Sequence, residues 1–125
     1  MSSINRQFIL YLEDMFQSMQ RIEEYLGELD FIEFKMTNMV VDAIIRNFEI
    51  IGEASKNIPA EIQGKYSEIP WRKMYGLRNL IAHEYFGIDY EMIWEIAKNH
   101  LPQNRNDLAI IIEKEKTQDG NNVFL

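Results

Sequence analysis

The residues best suited to chemistry lie in one short segment, residues 78–85, which holds an arginine, an asparagine, a histidine and a tyrosine. Histidine is the side chain whose ordinary pKa lies nearest neutral pH, so it can both take up and release protons. His83 and His100 are the only histidines in the sequence. Because His100 stands beside a predicted helix break at Pro102, we interpret it as a capping or surface residue. His83 is therefore the main candidate for acid–base catalysis.

A helical wheel drawn at about 100° per residue separates His83 from the core-facing side of its predicted helix. The apolar stripe consists of Met74, Leu77, Leu80 and Ile81. Arg78, Asn79 and His83 fall on the opposite face. Asn79 precedes His83 by four residues, so its amide can orient the imidazole. Arg78 lies about 7.5 Å from His83 along the axis, which lets its guanidinium bind a phosphate held near the imidazole.

Two further residues can support this cluster from another helix. Glu53 and Arg46 lie two turns apart on one polar stripe and are candidates to hold Arg78 in place. An exposed stripe of ion pairs is the commoner explanation of such a pattern. In the same way, an arginine and a histidine on a polar helix face are usually only solvated, and a tyrosine such as Tyr85 usually packs.

Length and composition predict one small helical domain. The chain has 125 residues, of which 46% are hydrophobic and 26% charged, within the range of globular proteins. We expect the domain to cover residues 1–116 and a polar tail to cover 117–125. The absence of cysteine rules out disulfides and thiolate metal sites. We recognise no signal peptide and no membrane span, so we expect a cytoplasmic protein.

The net charge of −7 argues against a protein that coats nucleic acid with a broad basic surface. The charge is uneven along the chain: residues 1–41 carry −4, residues 42–83 carry +1 and residues 84–125 carry −4. An anionic ligand would therefore be bound most favourably by the middle segment, which ends at His83.

Apolar periodicity predicts an all-α fold, with no convincing strand pattern. Predicted helices run from Phe8 to Gly27, from Met36 to Asn57, through one or two turns in 60–66, from Trp71 to about His83, and from a cap at Asp89 onward, with a bend or break at Pro102. The helix 36–57 is apolar on both sides of its polar stripe. Such a helix is expected to be buried by its own domain on one flank and by a second subunit on the other.

Several motifs, taken together and in this order, closely resemble the HepT family of the HEPN superfamily, long called DUF86. They are residues 46–54 (RNFEIIGEA), 69–72 (IPWR), 78–87 (RNLIAHEYFG), 93–95 (IWE) and 101–102 (LP). The resemblance spans about residues 8–113. The combined pattern is far more specific than an isolated arginine and histidine at this spacing.

The resemblance implies an up-and-down four-helix bundle with a short extra helical segment, assembled as a two-fold dimer. It implies a metal-independent, cofactor-free RNA endonuclease that is the toxin of a type VII-like toxin–antitoxin pair. Arg78 and His83 would form the nuclease site. The partner would be a minimal nucleotidyltransferase antitoxin that neutralises the toxin by attaching AMP to Tyr85.

Two other functions remain open at this point. The chain could be a non-catalytic subunit that binds a nucleotide or another substrate for the nucleotidyltransferase, which the acidic net charge favours. It could also be a purely structural oligomerisation module. In that case, substitution of Arg78 or His83 would leave cell growth unaffected.

Overall fold

The computed structural model describes residues 5–79 and 87–123, and over these two stretches the chain is helical with no strand. The helices are α1 (Phe8–Leu26), α2 (Phe31–Met36), α3 (Asn38–Ser55), α4 (Ala60–Lys65), α5 (Trp71–Gly76), α6 (Tyr90–Glu95) and α7 (Leu101–Val123), with a π-helical turn (Ile96–His100) between α6 and α7. The predicted all-α class is confirmed. No helix in the described ranges is long and apolar enough to cross a membrane.

Helix α1 lies at the centre of the fold and packs against α3, α7 and the π-helical turn. Its predicted apolar repeat is confirmed, because every residue of the repeat is buried. These residues are Phe8, Leu12, Met15, Met19, Ile22 and Leu26. The helix ends at Gly27, whose φ of 50° is a conformation that glycine adopts without steric cost.

The connection after α1 contains a helix that the sequence pattern did not predict. Helix α2 is only six residues long, and its N-terminus is closed by a capping box between Asp30 and Glu33. Each carboxylate accepts a hydrogen bond from the other residue's backbone N–H, at 2.8 and 3.0 Å. Phe31 and Phe34 both contact Trp94, with ring centroids 5.9 and 5.5 Å apart, so α2 is tied to α6.

Helix α6, the π-helical turn and α7 follow one another directly and form one rod. The predicted cap of α6 is confirmed, since the Asp89 carboxylate accepts a hydrogen bond from the N–H of Met92. The predicted break at Pro102 is absent, because the helix from Leu101 to Val123 runs through this residue. The π-helical turn precedes it, and the N–H of Leu101 donates to the carbonyl of Ile96, five residues back. A wider turn of this kind accommodates the proline ring without ending the helix. Helix α7 then continues to Val123, so the residues expected to form a tail are helical in part.

The two flanks of α3 differ in burial. The first flank is buried in the core, with Val41, Ile44 and Phe48 almost fully covered. On the second flank Ala54 is also buried by its own chain, whereas Val40, Ala43 and Ile50 are only partly covered. The protomer thus leaves part of this second flank accessible.

The buried carboxylate of Glu115 in α7 binds side chains from two other parts of the chain, the segment before α1 and the end of α4. The side chain of Glu115 is 1% exposed and lies 3.1 Å from Arg6 and 3.0 Å from Lys65. It also accepts a hydrogen bond from the hydroxyl of Tyr66. Burial by itself raises the pKa of Glu115, but the hydrogen bonds from Tyr66 and Lys65 and the charges of Lys65 and Arg6 outweigh it, so its pKa is lowered.

We expect Glu115→Gln to lower the free energy of unfolding by about 1–3 kcal/mol, because charge-assisted hydrogen bonds are lost inside the protein. A lowered pKa means that the carboxylate stabilises the fold fully above the unfolded-state value of about 4.3 and that this stabilisation is lost as the pH falls from there through the lower folded-state pKa. Urea unfolding at pH 7 and pH 3 should therefore show a smaller acid loss in Glu115→Gln. Glu113→Gln, at an exposed position of α7, is the control and should match the parent protein. Equal stability of both variants at pH 7 would contradict this role.

Candidate functional site

Helix α5, which begins the predicted site, is anchored at its first residue. The indole Nε1 of Trp71 donates a 3.0 Å hydrogen bond to the backbone carbonyl of Tyr66, and the ring is buried. Met74 and Leu77 are buried as the wheel predicted. Leu80 and Ile81, the other half of the predicted stripe, lie outside the described residues.

At its other end α5 approaches α3 closely at Gly52. A Cβ built on Gly52 would lie 3.0 Å from both the Cβ and the backbone nitrogen of Arg78, and 3.2 Å from the carbonyl oxygen of Tyr75. Two of these three atoms are backbone, so they cannot move aside as a flexible side chain would. Glycine at position 52 is therefore what allows the chain at Arg78 to lie directly on α3.

The guanidinium of Arg78 is held by two side chains. Its Nε lies 3.3 Å from an Oε1 oxygen of Glu53 on α3. Its Nη1 donates a 2.9 Å hydrogen bond to the hydroxyl of Tyr75, and its Cζ lies 5.0 Å from the centroid of the Tyr75 ring. The Arg78 side chain remains 34% exposed, so the guanidinium is fixed in place while part of it faces solvent.

Glu53 connects Arg78 to a second cation. Its other oxygen lies 3.1 Å from Nζ of Lys56, so one carboxylate bridges two positive groups. The hydrogen bond from Lys56 is the main cause that lowers the pKa of Glu53, and the charges of Arg78 and Lys56 add to it. Glu53 is therefore ionised at neutral pH and retains its attraction for Arg78.

Among the described residues, no other helix covers the surface at Arg72 and Gly76. Asn79 and Arg72 are exposed, and a Cβ built on Gly76 would meet no described atom within 4 Å. Arg72 and Gly76 are four residues apart on α5 and share one face, and Asn79 follows three residues later, beyond the end of this helix. A ligand can approach this face without displacing a neighbouring helix of the described structure.

Arg46, the other predicted supporting residue, lies apart from Arg78. Its Nη1 is 3.4 Å from the carboxylate of Glu49, one turn along α3, and its side chain is 68% exposed. Of the two supporting candidates, Glu53 is thus the one that contacts Arg78. Arg46 lines a groove of about 290 Å³ between α1 and α3, together with Tyr11, Asp14, Glu49, Ile50, Glu53, Ala54 and Asn57.

His83, the predicted acid–base residue, and Tyr85, the predicted modification site, both lie outside the described residues. Across 5–79 and 87–123 there is no group of three or more acidic, histidine or cysteine side chains that could hold a metal ion. Of the predicted catalytic pair, Arg78 is the residue that the described ranges include.

Two residues that fix Arg78 were not identified from the sequence. Tyr75 precedes Arg78 by three residues, a spacing at which helical side chains meet, so the pair was visible in principle. Gly52 is the one glycine of the predicted helix 36–57. Its role depends on which helix crosses it, and the sequence alone does not give that crossing.

The sequence of this chain matches one family model and several known proteins. The family model described as "Ribonuclease HepT-like" matches residues 15–114. The chain is 36% identical to "Putative RNase MJ0127" of Methanocaldococcus jannaschii, over 90% of this chain and 93% of that protein. It is 37% identical to "Putative RNase TTE0752" of Caldanaerobacter subterraneus subsp. tengcongensis, over 85% and 95% of the two chains.

A third relative is "Probable ribonuclease HepT" of Thermococcus cleftensis, with 42% identity over 74% of this chain and 84% of that protein. No solved structure gives a significant match.

We expect Gly52→Ala to lower the free energy of unfolding by about 1–3 kcal/mol, because the added methyl group forces the backbone at Arg78 away from α3. Gly64→Ala is the matched control, since a Cβ there meets nothing within 4 Å. It should leave stability unchanged or raise it by up to about 1 kcal/mol, the helix-propensity difference between the two residues. Urea titration of both variants makes the comparison. Equal stability of Gly52→Ala and Gly64→Ala would show that the approach at Gly52 is not tight.

Proposed function

This chain belongs to the ribonuclease HepT-like family, and from that premise we propose that it is a metal-independent endoribonuclease with Arg78 and His83 as its catalytic residues. The observation that carries the proposal is the guanidinium of Arg78, held by Glu53 and Tyr75 yet still partly exposed. An arginine fixed in this way suits the binding of a phosphodiester, because its fork of N–H donors matches phosphate oxygens.

The proposed reaction is cleavage of RNA by its own 2′-hydroxyl. His83 takes the proton from this hydroxyl, whose oxygen then attacks the adjacent phosphorus. Arg78 stabilises the negative charge that develops on the non-bridging phosphate oxygens. The bond from phosphorus to the 5′-oxygen breaks, and that oxygen receives a proton from an acid. The products are a 2′,3′-cyclic phosphate and a free 5′-hydroxyl. Asn79 orients His83 through its side-chain amide.

One histidine supplies only one of these two proton transfers, so we propose that the active form is a two-fold dimer in which a second His83 provides the acid. The second flank of α3 supports this assembly, because Val40, Ala43 and Ile50 are only partly covered within the protomer. We further propose that the protomer is an up-and-down four-helix bundle. Its four helices would be α1, α3, α5 and the rod formed by α6 and α7.

We propose that the protein acts in the cytoplasm as the toxin of a two-gene pair, with a minimal nucleotidyltransferase as antitoxin. In this step the Tyr85 hydroxyl oxygen would attack the α-phosphorus of ATP bound by the partner, with loss of the hydroxyl proton and release of pyrophosphate. The AMP group attached to Tyr85 would bring a bulky anion close to Arg78 and His83. That anion would occupy the phosphate position and neutralise its positive charge. Modification at this position accounts for inhibition without any further change of conformation.

The nuclease is tested by incubating the purified protein with RNA in buffer containing EDTA. We expect Arg78→Ala to reduce the cleavage rate about 100- to 1,000-fold, as the loss of one transition-state charge partner does. We expect His83→Ala to reduce it about 100- to 10,000-fold through loss of proton transfer.

Two substitutions provide matched controls for this assay. His100→Ala removes the other histidine, whose side chain is 61% exposed, and Arg21→Ala removes an exposed arginine of α1. Both should cleave RNA at the parent rate. Intact RNA with the parent protein, or equal cleavage by His83→Ala and His100→Ala, would contradict the proposal. Intact RNA together with tight nucleotide binding would favour the non-catalytic binding subunit.

Regulation is tested by mass spectrometry of the intact chain after co-expression with the neighbouring nucleotidyltransferase gene. We expect the mass of one AMP group on the parent protein and none on Tyr85→Phe, because the acceptor hydroxyl is absent. Tyr90→Phe, five residues away at the start of α6, is the control and should be modified like the parent. Modification of Tyr85→Phe to the same extent would place the acceptor elsewhere.

A further inference from the structure

Tyr75 makes the closest contact to the Arg78 guanidinium, and nothing in its sequence context marks it as functional. Its hydroxyl accepts the 2.9 Å hydrogen bond from Nη1 of Arg78. Its ring also faces the cation, with 5.0 Å between Cζ and the ring centroid. A cation at this distance from an aromatic face is attracted by the ring electrons.

Tyr75 and Glu53 act on different nitrogens of the same planar group. Glu53 lies beside Nε, at the base of the guanidinium, whereas Tyr75 binds Nη1 at its tip. Two contacts at separate points fix the direction of the plane as well as its position, which one contact alone cannot do. The guanidinium carries five N–H donors and the side chain remains 34% exposed, so donors remain for an incoming phosphate after these two contacts.

Burial indicates that Tyr75 is not needed to hold the core together. It is 42% exposed, whereas the neighbouring Met74 and Leu77 are 3% and 6% exposed and carry the packing of this helix end. A surface residue with this exposure usually contributes little to stability. The contacts of Tyr75 are therefore best explained by what they do to Arg78.

We propose that Tyr75 is a positioning residue of the nuclease: together with Glu53 it fixes the Arg78 guanidinium so that its remaining N–H donors face the scissile phosphate of an RNA strand. This inference rests on the proposed nuclease function. A guanidinium that is already oriented needs no reorganisation when charge develops on the phosphate, and this is the source of its catalytic effect.

The test is a set of tyrosine variants. Tyr75→Phe keeps the ring and removes the hydroxyl, and we expect kcat for RNA cleavage to fall about 3- to 10-fold with KM little changed. Tyr75→Leu removes the ring as well and should lower kcat further by about 2- to 5-fold. Tyr25→Phe is the control, because Tyr25 on α1 is 40% exposed, close to the exposure of Tyr75. It should have the parent kcat, and thermal unfolding should be the same for all four proteins.

A double-mutant cycle separates positioning from a merely structural role. In an Arg78→Lys background the guanidinium is absent, so Tyr75→Phe should cause no further loss of kcat. A parent protein that cleaves RNA while Tyr75→Phe has an unchanged kcat would overturn the inference. An equal loss from Tyr75→Phe in both backgrounds would also overturn it.

A second measurement does not depend on cleavage and so keeps this inference separate from the proposed function. The Nε–H signal of Arg78 in an NMR spectrum is identified by its loss in Arg78→Lys. We expect the order parameter of this N–H to be lower in Tyr75→Phe than in the parent and Tyr25→Phe. An unchanged value in Tyr75→Phe would overturn the inference, even if the parent protein cleaved no RNA.

Discussion

The position of Arg78 depends on how closely the end of α5 approaches α3, and Gly52 sets that distance. Because glycine has no Cβ, the backbone nitrogen and Cβ of Arg78 lie where another residue's side chain would otherwise begin. This approach brings the guanidinium within reach of Glu53, the next residue on α3. The absence of a side chain at Gly52 lets the backbone at Arg78 lie against α3, and only then can Arg78 and Glu53 form their ion pair. A larger residue at position 52 would disturb both.

Once Arg78 is in place, the surrounding charges explain why it remains ready for a phosphate. Glu53 is shared between Arg78 and Lys56, so one carboxylate partly neutralises two cations. Counting Glu53, Lys56 and Arg78 alone, one positive charge is left over in a protein whose net charge is −7. This excess favours the approach of an anionic group such as a phosphate. In the proposed inhibition through Tyr85, the attached phosphate would compete for the same guanidinium.

The features predicted from the sequence were those set by local rules. The apolar repeat of α1, the cap at Asp89 and the buried side of α5 at Met74 and Leu77 all follow from side-chain periodicity and capping chemistry. Helix α2 was missed because six residues are too few to show a period, although Asp30 followed by Glu33 is a capping-box signal. Other features depend on tertiary packing: Glu115 lies among alternating charges in α7 and gives no sign of being buried, and the π-helical turn that accommodates Pro102 cannot be inferred from composition.

The proposed nuclease requires that Arg78 and His83 of one site bind the same phosphodiester. The most direct measurement is a crystal structure with a short RNA that carries a 2′-O-methyl group at the scissile position, which blocks attack on the phosphorus. We expect a phosphate within hydrogen-bond distance of both the Arg78 guanidinium and the His83 imidazole, with Glu53 still beside Nε. A phosphate bound on another face, with Arg78 in contact only with Glu53 and Tyr75, would contradict it.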